Sequence, residues 1–151
     1  MKLETKRLHI IPCTEETVKI AIQQGYDNGP HIANYVQKLK EDSSLLYWGV
    51  WLVVRKKDGM VLGDIGFKGK PNGNKEVEVG YGFLEKYWNK GYATEAVGAL
   101  IQWAFLTSKV DRIVAETLHD NHGSIRVLEK LNMKKISVTD TMIHWRIEKM
   151  S

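Results

Sequence analysis

Glu85-Lys86-Tyr87-Trp88-Asn89-Lys90-Gly91-Tyr92-Ala93-Thr94-Glu95-Ala96 joins a segment that alternates like a strand to a long apolar stretch rich in alanine. Two features of it carry chemistry. Gly91 has no Cβ, so backbone there can approach a ligand closely. The first N–H groups of the following helix have no partner within it and carry the positive end of its dipole. Together they suit a phosphate or diphosphate, with Lys90 adding charge beside it. An ordinary strand-to-helix turn that needs Gly91 for geometry alone is the alternative. Other phosphate motifs fit worse: there is no G-x-x-x-x-G-K-[ST], and Gly63, Gly66 and Gly69 lie in a strand and its turn with no helix after them.

Upstream of the loop, Lys75 to Leu84 reads as a strand with Val77, Val79, Tyr81 and Phe83 on one face and Glu76, Glu78, Gly80 and Gly82 on the other. Tyr47 to Arg55 and Met60 to Phe67 precede it, separated by the turn signals Lys57-Asp58-Gly59 and Pro71-Asn72-Gly73-Asn74, so three antiparallel strands are expected. Further back, Arg7 to Pro12 predicts a first strand, and Thr14 caps a helix running towards Gln24. Gly25 to Pro30 is a loop by composition, and Ile32, Tyr35, Val36 and Leu39 form an amphipathic stripe. Downstream, the spacing predicts a helix over Ala93–Ser108, a strand over Arg112–Leu118 and a helix over Ser124–Leu131. Asn132 stops that helix in the left-handed conformation, and Ile136–Val138 with Met142–Glu148 makes a closing hairpin. The order is strand, two helices, three strands, helix, strand, helix, two strands. That is a mixed α/β layer fold, expected as one domain over residues 1–151.

Several stretches at matching spacing carry a resemblance. Gly80-Tyr81 with Tyr87 to Ala96 resembles the coenzyme A signature of the GNAT acetyltransferases, in the branch typified by the ribosomal-protein N-terminal acetyltransferases RimJ and RimL. Glu4-Thr5-Lys6-Arg7-Leu8 resembles that branch's opening strand, Asn121 to Leu131 its strand–helix motif, and Ile143 to Lys149 its last strand. Departures are Trp88 for the usual Arg or Gln at the loop head, Asn89 for a glycine or arginine, and Asn132 for a glycine. Leu128 stands where many GNAT enzymes carry an acidic tyrosine.

The resemblance implies a central, mostly antiparallel sheet flanked by helices and splayed in a V between its fourth and fifth predicted strands, Lys75–Leu84 and Arg112–Leu118. It implies acetyl-CoA as donor substrate, with the pantetheine arm in the V and contacts at Phe83 and Leu84. A backbone N–H near Phe83 would hold the acetyl oxygen, and the loop Trp88, Asn89, Lys90, Gly91, Tyr92, Ala93 and Thr94 would hold the diphosphate. A primary amine, on a protein N-terminus or a small molecule, would attack directly in a ternary complex. Glu78 is the candidate base, with a cross-strand ion pair to a lysine as its alternative. Ser124 is the candidate partner of the departing thiolate, or a helix cap. Asn121 would hold the pantetheine amides, or make a turn. The competing function is a catalytically silent acetyl-CoA-binding sensor.

Composition excludes other classes. The formal charge of +4 comes from 22 basic and 18 acidic residues scattered without a block, unlike the basic stripe of a nucleic-acid binder. No apolar run is long enough to span a membrane, and Met1 to Pro12 lacks the apolar core of a signal peptide. The single cysteine, Cys13, fits a reducing, cytoplasmic setting and serves as a packed side chain. No metal site is expected, because His119 and His122 have no ligand partners nearby. A homodimer through exposed strands of the C-terminal hairpin is a further expectation.

Overall fold

Apolar alternation builds most of the strands. In the computed structural model, which describes residues 1–150, Leu8–Pro12 (β2) buries Leu8, Ile10 and Pro12. A two-residue strand, Leu3–Glu4 (β1), pairs antiparallel beside it. Helices Val18–Gln23 (α1) and His31–Glu41 (α2) follow, then strands Val50–Arg55 (β3), Val61–Phe67 (β4) and Glu76–Phe83 (β5). Next come helix Tyr92–Leu106 (α3), strand Arg112–Leu118 (β6), helix His122–Lys130 (α4), and strands Lys134–Val138 (β7) and Met142–Glu148 (β8). One sheet takes all eight strands in the order β1-β2-β3-β4-β5-β6-β8-β7. Every pair is antiparallel except β5 with β6. The predicted fourth and fifth strands are therefore β5 and β6, because β1 lacked any pattern to announce it.

Alternation along β3 separates two cores. Trp51 and Val53 pack with α3 and α4, while Leu52 and Val54 pack with α1 and α2 on the opposite face. α3 buries Tyr92, Ala96, Val97, Leu100, Ile101 and Ala104 along one stripe. Trp103 closes an aromatic cluster with Trp51 at 5.1 Å and Trp48 at 5.2 Å between ring centres, each contact adding about 0.5–1.5 kcal/mol beyond area burial. α1 and α2 cover β2 to β4 only. The face of β5 carrying Glu76, Glu78, Gly80 and Gly82 thus stays half-open. No helix is long and apolar enough to cross a membrane, among the described residues.

Local differences from the sequence expectation have simple causes. Thr14 does accept a hydrogen bond from the Thr17 N–H (3.1 Å), but within a turn that precedes α1. Strand β3 begins at Val50 because Tyr47 takes a φ of 77°, incompatible with extended backbone. α4 begins at His122 because Asn121 caps it, its Oδ1 accepting from the Ser124 N–H at 3.1 Å. Asn132 holds a φ of 64°, the left-handed stop expected there.

Candidate active site

The Lys68 N–H donates to the Glu78 carbonyl (2.9 Å) and the Leu84 N–H to the Leu62 carbonyl (3.0 Å). Between these rungs Gly80 faces Gly66 and Gly82 faces Asp64. Even-numbered residues of β5 therefore turn their peptide groups to β4, and odd-numbered ones turn theirs to β6. Parallel pairing of β5 with β6 runs only from Glu76↔Arg112 to Glu78↔Val114. Beyond it the strands separate, and Tyr81 and Phe83 direct their peptide groups into the gap. Leu84, expected among the cofactor contacts, turns its N–H away from the gap to the Leu62 carbonyl, and its side chain packs against the core.

The loop at the mouth of this gap is tightly built. A single 3₁₀ turn, Glu85–Tyr87, is followed by Trp88, whose indole N–H donates to the Phe83 carbonyl at 2.8 Å. Asn89 and Gly91 take φ of 62° and 80°, left-handed on either side of Lys90. Gly91 does this without the penalty of a Cβ. The first bond of α3 runs from the Glu95 N–H to the Gly91 carbonyl (3.1 Å), which leaves the N–H groups of Tyr92, Ala93 and Thr94 without helical partners. Trp88, Asn89, Lys90 and Gly91 are exposed at the tip.

Arg7, reading from sequence as strand and no more, supports this loop. Its Nη1 donates to the Lys90 carbonyl (3.1 Å), its Nε to Glu95 Oε1 (2.7 Å), and its guanidinium lies 4.3 Å from the Tyr92 ring centre. Glu95 also accepts from the Arg7 N–H (2.9 Å) and from the Thr5 hydroxyl. Burial pushes the Glu95 carboxyl up, but these hydrogen bonds outweigh it and hold the group below its ordinary value. Arg55 Nη1 donates to the Tyr92 hydroxyl at 3.3 Å. Arg7 and Arg55 at the α3 N-terminus are each paired with a carboxylate, Arg7 with Glu95 and Arg55 with Asp58 at 2.6 Å, while Lys90 at the loop tip has no carboxylate partner among the described residues.

On the open face Glu78 forms an ion pair with Lys68, Oε2 to Nζ 2.8 Å, so the alternative foreseen for it is the observed state. Beside it Gly80 and Gly82 make a bare shelf. At the other end Asn28 overhangs, its Nδ2 2.9 Å from where a Cβ on Gly82 would stand. Ser124 is half-buried in the first turn of α4, and its carbonyl accepts from the Tyr81 hydroxyl at 3.2 Å. Burial, its largest influence, pushes the Tyr81 phenol up to about 12, so it stays a donor. That phenol bridges β5 to α4 beside the gap, a role for Tyr81 that its alternating position alone did not reveal. Leu128 is fully buried. Asn121 spends its oxygen on the helix cap, leaving its amide N–H₂ for other contacts. Cys13 is buried, and burial first and the Asp64 charge second push its thiol up to about 12, which keeps it inert.

Sequence reasoning also passed over Asp64. It is 5% exposed in the middle of a buried strand, and that polar interruption of Val61–Phe67 was the available signal. Its carboxylate accepts from Tyr26 Oη (2.7 Å), Asn28 Nδ2 (3.1 Å) and His31 Nε2 (2.7 Å). Tyr47 and Trp48 pack against Trp103 in the core.

Residues 9–134, which hold the splayed parallel pair and the glycine-opened helix N-terminus, match a family model described as acetyltransferase (GNAT) domain. The chain belongs to the GNAT acetyltransferase family. This GNAT chain is 37% identical over 95 residues to the uncharacterized N-acetyltransferase YjdG of Bacillus subtilis (strain 168), covering 63% of this chain and 56% of YjdG. It is 28% identical over 146 residues to the uncharacterized protein YkkB of the same strain, covering 87% and 84%. The chain spans about half the length of several curated relatives it matches. Its fold is similar to that of a GNAT-family acetyltransferase from Bacillus anthracis, with a TM-score of 0.75 at 24% identity over 98% of both chains. It is also similar to RimL, a ribosomal L7/L12 alpha-N-protein acetyltransferase solved with coenzyme A, with a TM-score of 0.79 at 14% identity over 98% of both chains.

Proposed function

We propose that this GNAT domain transfers the acetyl group of acetyl-CoA to a primary amine by direct attack within a ternary complex. The observation that carries the reading is continuity. The free N–H groups of Tyr92, Ala93 and Thr94 lie at one end of the gap into which Tyr81 and Phe83 turn their peptide groups. A diphosphate on the helix N-terminus would send its pantetheine arm along that strand edge, past Asn121. The thioester would then lie under the Gly80–Gly82 shelf.

Chemistry there needs three groups. A peptide N–H of Tyr81 or Phe83 meets the acetyl oxygen as it gains charge, a contribution of roughly 2.7–4 kcal/mol for one such donor. A base on the open face removes the ammonium proton. Glu78 is on that face, and to serve it must first yield its hold on Lys68 or act through water. The departing thiolate is received by the Ser124 hydroxyl, with Tyr81 fixing the turn that carries it.

RimL's name gives a ribosomal-protein N-terminus as its acceptor, and the likeness supports an exposed N-terminal amine as the acceptor class here, with a small-molecule amine as the other. Titration calorimetry with acetyl-CoA and with free coenzyme A tests the cofactor. Thiol release across peptides and small amines then tests transfer. Glu78 bound to Lys68 and Leu128 in the core favour the second reading, a silent acetyl-CoA-binding module, which predicts binding without thiol release.

A further inference from the structure

We infer that His31, positioned by the buried Asp64, is the group that takes the proton from the acceptor amine. The inference rests on amine acetylation being the reaction.

The starting point is Asp64 itself. A carboxylate in a buried strand is costly unless it is hydrogen-bonded, and this one draws three side-chain donors, all from the Gly25–Pro30 loop and the first residue of α2. As a carboxylate it only accepts, so His31 donates to it through Nε2–H. Burial and the Asp64 charge push the Tyr26 phenol up, so that it too remains a donor. In the neutral ring this bond puts the proton on Nε2, so the lone pair is on Nδ1. Nδ1 has no hydrogen-bond partner among the described residues. It lies 3.2 Å from where a Cβ on Gly29 would stand, so the glycine leaves it uncovered. The imidazole itself is 46% exposed while the Asp64 side chain behind it is 7% exposed. A base open to its substrate and oriented by a buried carboxylate is the logic of a histidine–aspartate pair.

Position favours it over Glu78. Asp64 pairs directly with Gly82, and Gly82 lies between the two residues, Tyr81 and Phe83, whose peptide groups face the gap. Glu78 stands three residues from Tyr81, about 10 Å along the strand, and its carboxylate is bound to Lys68. The step balances without further reagents. The ammonium gives one proton to His31 Nδ1 and the freed amine forms the C–N bond. The C–S bond breaks, the thiolate takes the second nitrogen proton, and the imidazolium returns its proton to water.

The test uses two small acceptors, methylamine, which is an ammonium at pH 7, and hydroxylamine, which is neutral there. Thiol release is followed for the wild type, His31→Gln, Asp64→Asn and Glu78→Gln, with acetyl-CoA binding measured for each. A base is needed only for the ammonium. His31→Gln should slow methylamine by at least about 10²-fold and leave hydroxylamine and acetyl-CoA binding unchanged. Asp64→Asn should follow His31→Gln if it folds. Equal slowing of both amines by His31→Gln would mean a structural role. A selective loss in Glu78→Gln with His31→Gln intact would assign the proton to Glu78. Either result overturns the inference while amine acetylation stands. A wild type that binds acetyl-CoA yet releases no thiol with any amine would overturn the reading beneath it.

Discussion

The Trp88 indole N–H donates to the Phe83 carbonyl at 2.8 Å, closing the cofactor loop onto the last residue of β5. Trp88 stands where the resemblance implies arginine or glutamine, and half of its surface is exposed. Its hydrogen bond explains why an aromatic works there: it fixes the loop through the ring nitrogen and satisfies a carbonyl that the splayed strand leaves unpaired. Replacing Trp88 with Phe keeps the ring and removes the donor. One lost hydrogen bond of about 1 kcal/mol should weaken acetyl-CoA binding roughly fivefold, read by titration calorimetry. An unchanged affinity would mean the loop holds its shape without this bond.

Gly91 sits at a φ of 80° at the head of α3. Gly91→Glu places a carboxylate against the proposed diphosphate. At about 4 Å and an effective dielectric near 20 the repulsion is about 4 kcal/mol, roughly a thousandfold in affinity. Calorimetry checks it, and unaltered binding would remove the loop from the cofactor site.

Glu95 is tied to Arg7 and Thr5 and its carboxyl is held below the ordinary 4.5. A lowered folded-state value contributes stability above the unfolded value, and that stability disappears as pH falls through the folded one. Glu95→Gln should therefore melt at a lower temperature than the wild type at pH 7. The gap should close as the pH is taken down through and below 4.5. A pH-independent gap, followed by thermal denaturation monitored by circular dichroism, would assign the loss to packing instead.

Asn121 and Ser124 should separate cleanly. Asn121→Ala removes the cap of α4 and should cost about 1 kcal/mol of stability. Ser124→Ala leaves the cap, which uses only the Ser124 backbone N–H. If its hydroxyl receives the thiolate, the turnover number should fall about tenfold or more, as expected for a hydrogen bond to a charged group. Melting curves and steady-state rates on both variants check the split. A Ser124→Ala enzyme with full turnover would leave the thiolate to water or to Tyr81.

Much of the frame was legible in the chain. β6 and β8 fall on the predicted residues, and the stripe of Ile32, Tyr35, Val36 and Leu39 is α2. The glycine loop lies where the resemblance put it. What escaped was short or side-chain dependent. Two residues of β1 carry no periodicity, and the cap of α4 was assigned three residues late because Asn121 and Ser124 are both good capping types. In the site, Glu78 was singled out as a base with an ion pair as its alternative, and the structure shows the ion pair.

Local rules decided the elements, since period, turn residues and left-handed positions such as Gly91 and Asn132 act over a few residues and are written in their order. Partners across the fold were decided only by the tertiary structure. Arg7 meets Glu95 across 88 positions, and Asp64 gathers Tyr26, Asn28 and His31 from 33 to 38 positions away. Such pairs depend on strand register and on which helix covers which face, and neither is fixed by the residues on either side of the contact.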